Sequence, residues 1–220
     1  ISGDESFTLY SKFRRTKGVL DTVGTIAYEL RAEQEQAVLQ TFDYFMSHEK
    51  SEFLWNAKPR FGKTLATYDL CKHLQATKGD YACNILIVTN RPAIANSWYE
   101  DFVKFIGTES GFRFVSEVSA LKGKPFVTSR EEYTDSLTKE LADCIEFVSL
   151  QDLKGSLYFG GQHDKLKELV NMQWELLVID EAHEGVDTSK TDVAFHQIKR
   201  NHTLHLSGTP FKALANDKFP

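Results

Sequence analysis

The sequence predicts an α/β domain on a mostly parallel sheet with helices on both faces. Three observations carry that prediction. Short apolar runs rich in β-branched residues, at 84–89, 144–149 and 176–179, alternate with helical periodicities. An earlier run, Phe53-Leu54-Trp55, leads through a loop ending Gly62-Lys63-Thr64 directly into a helical pattern. The run at 176–179 stops at two adjacent acids, Asp180 and Glu181, at the carboxyl end of its strand, where open α/β sheets bind ligands.

Composition bounds the reading. At 220 residues the chain suits one large domain, or one domain with an appended piece, and 41% hydrophobic content is enough for a core. No apolar stretch approaches the roughly eighteen residues of a membrane span. The chain opens Ile1-Ser2-Gly3 with no charged-then-apolar leader, which reads as a piece of a longer protein. Cys71, Cys83 and Cys144 are far apart and out of metal-ligand spacing, as buried thiols of a reducing cytoplasm would be. The seven histidines form no ligand pair at helical spacing, so no zinc site is expected. A net charge of −5 gives no bulk attraction for nucleic acid, so any such binding rests on local basic groups.

In chain order, residues 1–28 carry a small basic cluster, Lys12, Arg14, Arg15 and Lys17, followed by turn glycines. A helix starts at 30–39, with Ala37, Val38, Phe42 and Phe45 on its buried face. Gln34, near its start, has an amide able both to donate to and accept from adenine. Residues 65–70 continue the helix after the loop. Asn90-Arg91-Pro92 ends the strand at 84–89, and residues 93–106 read as a helix with Trp98, Phe102 and Phe105 facing the core. Residues 112–115 predict a strand, 122–130 a connection, 131–142 a helix, 144–149 a strand and 162–171 an exposed helix. The last strand carries Leu204 and Leu206 inward and stops at Ser207-Gly208-Thr209-Pro210.

The loop Ala57-Lys-Pro-Arg-Phe-Gly-Lys-Thr64 has the layout of a phosphate cradle. Backbone N–H groups of the loop and first helical turn converge on a polyphosphate, where the helix dipole also favours negative charge. Gly62 allows close backbone approach, Lys63 reaches the outer phosphates, and the Thr64 hydroxyl suits Mg²⁺. In Asp180-Glu-Ala-His183, Asp180 can hold Mg²⁺ through water while Glu181 orients and deprotonates an attacking water. That tetrapeptide arises by chance in about one chain per thousand of this length.

Taken together, Ala57 to Thr64, Asp180 to His183 and Ser207 to Pro210 resemble motifs I, II and III of superfamily-2 helicases and translocases of the DEAD/DEAH type. Leu30 to Gln34 is similar to that family's adenine-reading segment, Val88 to Pro92 to its motif Ia, and Ser149-Leu-Gln151 to a strand-end motif that touches the nucleic-acid backbone. The Arg-Phe-Gly-Lys-Thr loop looks most like the motor subunits of type III and type I restriction enzymes, although Arg60 stands where many relatives have glycine. The resemblance implies a RecA-like P-loop NTPase domain over 29–215, preceded by a lead-in at 1–28. Residues 216–220 would begin a linker to a second RecA-like domain of the same protein. It further implies ATP and Mg²⁺ bound by Gln34, Ala57, Arg60, Gly62, Lys63, Thr64, Asp180 and His183, with Glu181 as base and Lys63 assisting. Ser207 and Thr209 would couple nucleotide state to grip, and Arg91, Ser149 and Gln151 would line the backbone of duplex DNA. Methylase or specificity subunits are the further partners such motors imply, with no membrane partner. Two other readings stay open: an RNA helicase, and a nucleotide-gated nucleic-acid-binding module without turnover.

Overall fold

The computed structural model describes residues 28–58, 60–90, 92–107, 110–137, 142–181 and 194–208. Seven strands form one all-parallel sheet in the order β1-β7-β6-β2-β5-β3-β4. They are β1 (Ser51–Asn56), β2 (Asn84–Thr89), β3 (Phe112–Ser116), β4 (Val127–Thr128), β5 (Asp143–Ser149), β6 (Trp174–Asp180) and β7 (Arg200–Ser207). The helices are α1 (Ala32–Ser47), α2 (Lys63–Ala76), α3 (Ala95–Asp101), α4 (Arg130–Leu137), α5 (Leu150–Gly155) and α6 (Lys167–Asn171).

The continuous apolar runs exist because both faces of the sheet are covered. Successive β2 side chains go to opposite sides. Ile85 and Ile87 join a core under α1, α2 and α3 with Val38, Leu70, Trp98 and Phe102. Leu86 and Val88 join a second core under α4, α5 and α6 with Tyr133, Leu153 and Leu169. Leu204 and Leu206 are fully buried in the first core, on the inward positions expected of them.

The elements differ from expectation where local contacts overrule periodicity. A 3-10 turn, Pro92–Ile94, precedes α3, and a wide turn, Phe102–Ile106, follows it, closed by Gly107 N–H donating to the Phe102 carbonyl. The widened turn sends Ile106 into the core and leaves the expected Phe105 half-buried against Tyr28. Residues 162–166 are not helical. Leu166 takes a left-handed φ of 65°, and Ser156 holds this stretch through a bridge to His163 and a hydroxyl donated to the Lys165 carbonyl. Only Lys167–Asn171 is helical, and its Leu169 is buried rather than exposed. Two short elements, α5 and β4, lie where the sequence predicts none or a plain connection.

Register aligns the carboxyl ends. Asn56 pairs with Ser207, Leu206 with Asp180, Asp180 with Thr89, and Thr89 with Ser149. Five neighbouring strands therefore finish together, and every site loop leaves from that edge. The three cysteines are free and buried. No helix among the described residues is long and apolar enough to cross a membrane.

Candidate functional site

The loop leaves β1 still stitched to the sheet. Ala57 is buried, and its N–H donates to the Ser207 carbonyl across 2.9 Å, so Ser207, itself fully buried, sits beside the loop entrance. The Phe61 N–H donates back to the Lys58 carbonyl at 3.0 Å, and Arg60 adopts a left-handed φ of 69°. Gly62, also left-handed with φ 81°, caps α2. A Cβ there would fall 2.5 Å from Gln34 Nε2, the far end of a flexible side chain that can shift, so it is the left-handed dihedral that calls for glycine.

Gln34 meets the loop from α1. Its Nε2 donates to the Phe61 carbonyl at 2.7 Å, and its Oε1 accepts the Arg31 N–H at 2.9 Å. The Arg31 guanidinium donates to the carbonyls of both Arg60 and Phe61. The start of α1 thus clasps the loop's backbone with an amide and a guanidinium. Arg31 was not singled out from sequence, although a glutamine three residues past a helix cap is the local sign of such a box.

Lys63 opens α2 and points at the end of β6. Its Nζ lies 3.0 Å from Asp180 Oδ1 and 2.6 Å from Glu181 Oε1. Burial pulls its pKa down, but the two carboxylates outweigh that and hold the ammonium above its ordinary value. Asp180 is only 3% exposed, and Glu181 takes a left-handed φ of 57°, a conformation uncommon outside glycine and frequent at functional sites. The second Asp180 oxygen accepts the Trp98 indole N–H at 3.1 Å. Trp98 is in the core as expected, and this polar handle is what the sequence reading lacked. The signal available was general, since a buried indole N–H needs a partner. Thr64, next along α2, is half-buried in the same first helical turn.

Two hard carboxylates with one ammonium between them, at a helix N-terminus, match the donor chemistry of Mg²⁺ and a polyphosphate. A cation already stands where a metal would balance the acids.

Other expected residues lie further along the same edge. Ser149 is buried and caps α5: its Oγ accepts the Asp152 N–H at 3.0 Å and donates to the Asp152 carboxylate at 2.6 Å. Gln151 is exposed on the first turn of α5. Arg91, His183 and Thr209 lie outside the described residues. A cavity of about 430 Å³ opens between α1 and α2, lined by Glu29, Glu35 and Asp69 among others. Its acidic wall repels phosphate, and it lies two turns along α2 from Lys63.

The family model for the type III restriction enzyme, res subunit, matches residues 27–212. The chain is 23% identical to the C-terminal chain of a provisionally assigned type II restriction enzyme and methyltransferase from Mycoplasma pneumoniae, over 87% of this chain and 30% of that protein. It is similar in fold to a nuclease-deletion mutant of the type ISP restriction-modification enzyme LlaGI, solved with a DNA substrate mimic. There the TM-score is 0.60 at 15% identity, over 83% of this chain and 18% of that one. The SWI2/SNF2 ATPase core of Sulfolobus solfataricus, solved with double-stranded DNA, superposes with a TM-score of 0.58 at 18% identity, over 89% of this chain and 35% of that one. The chain thus spans under a third of the curated relative it matches, and its fold is RecA-like.

Proposed function

The chain belongs to the type III restriction enzyme, res subunit family, and from that premise we propose that it is the first RecA-like half of an ATP-driven DNA translocase in a restriction system. The observation that carries this is the Lys63 ammonium held between Asp180 and Glu181 at the aligned strand ends. In this reading Lys63 exchanges its carboxylate partners for the outer phosphates of ATP. The backbones of Ala57, Arg60 and Gly62 cradle the polyphosphate, with His183 beside it. Thr64 and Asp180 hold Mg²⁺, which when bound neutralises charge on the phosphate oxygens. Glu181, released by Lys63, orients the attacking water and takes its proton. Gln34 gives up the Phe61 carbonyl to read adenine, so that nucleotide entry also loosens the clasp on the loop.

Ser207, hydrogen-bonded through its carbonyl to the loop entrance, passes nucleotide state toward Thr209 and the DNA grip. Arg91, Gln151 and the α5 terminus capped by Ser149 track the duplex backbone. A second RecA-like domain of the same protein supplies an arginine finger, a group worth roughly 10³–10⁵ in rate, so this half alone binds nucleotide and turns over very slowly. Methylase or specificity subunits are the proposed further partners.

The test is ATP hydrolysis by the full-length protein without nucleic acid, with duplex DNA and with single-stranded RNA. Stimulation by duplex DNA that Lys63→Ala abolishes is the expected result. Stimulation by RNA alone would make it an RNA helicase, and hydrolysis under no condition would leave a nucleotide-gated binding module.

A further inference from the structure

Asp180 presents its two oxygens to two different donors, one charged and one neutral. Oδ1 faces Lys63 Nζ at 3.0 Å, and Oδ2 accepts the Trp98 indole N–H at 3.1 Å. Trp98 is 1% exposed and walled by aromatic rings. Tyr68 meets it edge-on, with centroids 5.5 Å apart, and Phe147 lies 6.4 Å away. The fully buried Tyr68 hydroxyl donates to the Trp98 carbonyl at 2.6 Å, fixing the backbone from which the indole projects. Tyr68 belongs to α2, five residues beyond Lys63, so one rigid path runs from the loop helix through α3 to the acid of β6.

We propose that Trp98 is a positioning residue that fixes Asp180 so that a single oxygen faces the cation. This rests on the ATP–Mg²⁺ reading above. A carboxylate with both oxygens open can chelate in the bidentate manner that large, loosely coordinated Ca²⁺ accepts, whereas Mg²⁺ demands near-octahedral geometry. By holding Oδ2, the indole fixes the plane of the carboxylate and leaves Oδ1 as the oxygen turned to the cation and its water shell, the fixed orientation that octahedral Mg²⁺ demands. Outer partners of metal ligands commonly change metal affinity by about 10–100-fold when removed. Trp98→Phe keeps an aromatic ring in the packed site and deletes the donor.

The experiment is Mg²⁺-dependent binding of a fluorescent ADP analogue to the 220-residue chain, compared with Trp98→Phe. It is paired with the indole N–H resonances of the wild-type chain. Trp174 donates to the Leu169 carbonyl at the start of β6, so its indole is an internal control away from the acid. The expected result is a Mg²⁺ midpoint raised about tenfold in Trp98→Phe, with metal-free nucleotide affinity unchanged. The Trp98 indole resonance should move on adding Mg²⁺ and ADP while that of Trp174 stays. An unchanged midpoint in a folded Trp98→Phe protein would overturn the proposal, as would a Trp98 resonance indifferent to Mg²⁺ and ADP, a reading that needs no variant to fold. Absence of any Mg²⁺-dependent nucleotide binding in the wild type would instead fell the ATP reading itself.

Discussion

Strand β6 is bracketed at its two ends by the same device, and the two copies behave differently. At its start Glu175 pairs with Lys78, just beyond the end of α2; at its finish Asp180 pairs with Lys63, the first residue of α2. The helix is pinned to the strand at both ends by a lysine and an acid. At the Glu175 end every group is taken. Asn201 Nδ2 donates to the carboxylate at 2.7 Å, and His202 Nε2 lies 3.8 Å from it. His202 Nδ1 meets the Ser51 hydroxyl at 2.9 Å, and Phe45 stacks on the imidazole. At the Asp180 end the ammonium, about as exposed as that of Lys78, is shared between two acids and adjoins left-handed backbone at Gly62 and Glu181. A pair saturated by further hydrogen bonds is structural. A pair whose lysine a phosphate can claim is a site.

Substitutions should separate the two ends. The largest effect is expected of Glu181→Gln, which should lower DNA-stimulated hydrolysis by the full-length protein by about 10²–10⁴-fold while leaving ATP binding in place; a binding-only module would not register it. Lys63→Ala should reduce the same rate by about 10²–10³-fold and weaken nucleotide binding. Because Asp180 would be left buried without its cation, urea unfolding should also lose about 3 kcal/mol. Glu175→Ala shares only the stability loss: about 3 kcal/mol in unfolding, because Lys78 and His202 are left without their buried acid, with nucleotide affinity unaltered. If Glu175→Ala impaired nucleotide binding and spared stability, the contrast between the ends would collapse.

The smallest expected effect is the share of the pH dependence that His202 contributes at the Glu175 end. Burial pulls the His202 pKa below its ordinary value, with Glu175 acting against and Lys78 alongside. Below about pH 6.5 the unfolded chain therefore binds a proton the folded chain resists, and stability is lost as pH falls through that value toward the folded pKa. His202→Asn should flatten this acid limb in urea titrations at pH 5 to 7.5, with no change in slope above pH 7.

What sequence could tell follows the range of the interactions involved. Strand β2 is legible residue for residue, since an apolar run flanked by polar residues describes a strand buried on both faces. The phosphate loop and the paired acids are legible for the same reason: each is a local pattern whose spacing is its meaning. Helix α6 is curtailed by contacts made by Ser156, ten residues upstream of Leu166, which periodicity does not register. Strand β4 is two residues long and, among the described residues, pairs only with β3, too short to have a period. Within the site, Arg31 on the Phe61 carbonyl and Trp98 on Asp180 join residues 30 and 82 positions apart. Such pairs exist only once the sheet has brought the carboxyl edges together.

The position of β7 has a consequence for how the protein comes into being. It threads between β1 and β6, so Ser51 finds its partner in His202, and the loop entrance closes on Ser207. As the chain emerges from the ribosome at about 5–20 residues per second, β1 waits for its neighbour through most of the domain's synthesis. The flank of β1 stands as an unfilled pairing edge throughout that interval, joined by that of β6 only once residue 180 is made, a hazard for aggregation. Nucleotide should therefore offer nothing to nascent chains arrested before residue 200, and protect from proteolysis only those long enough to deliver the last strand.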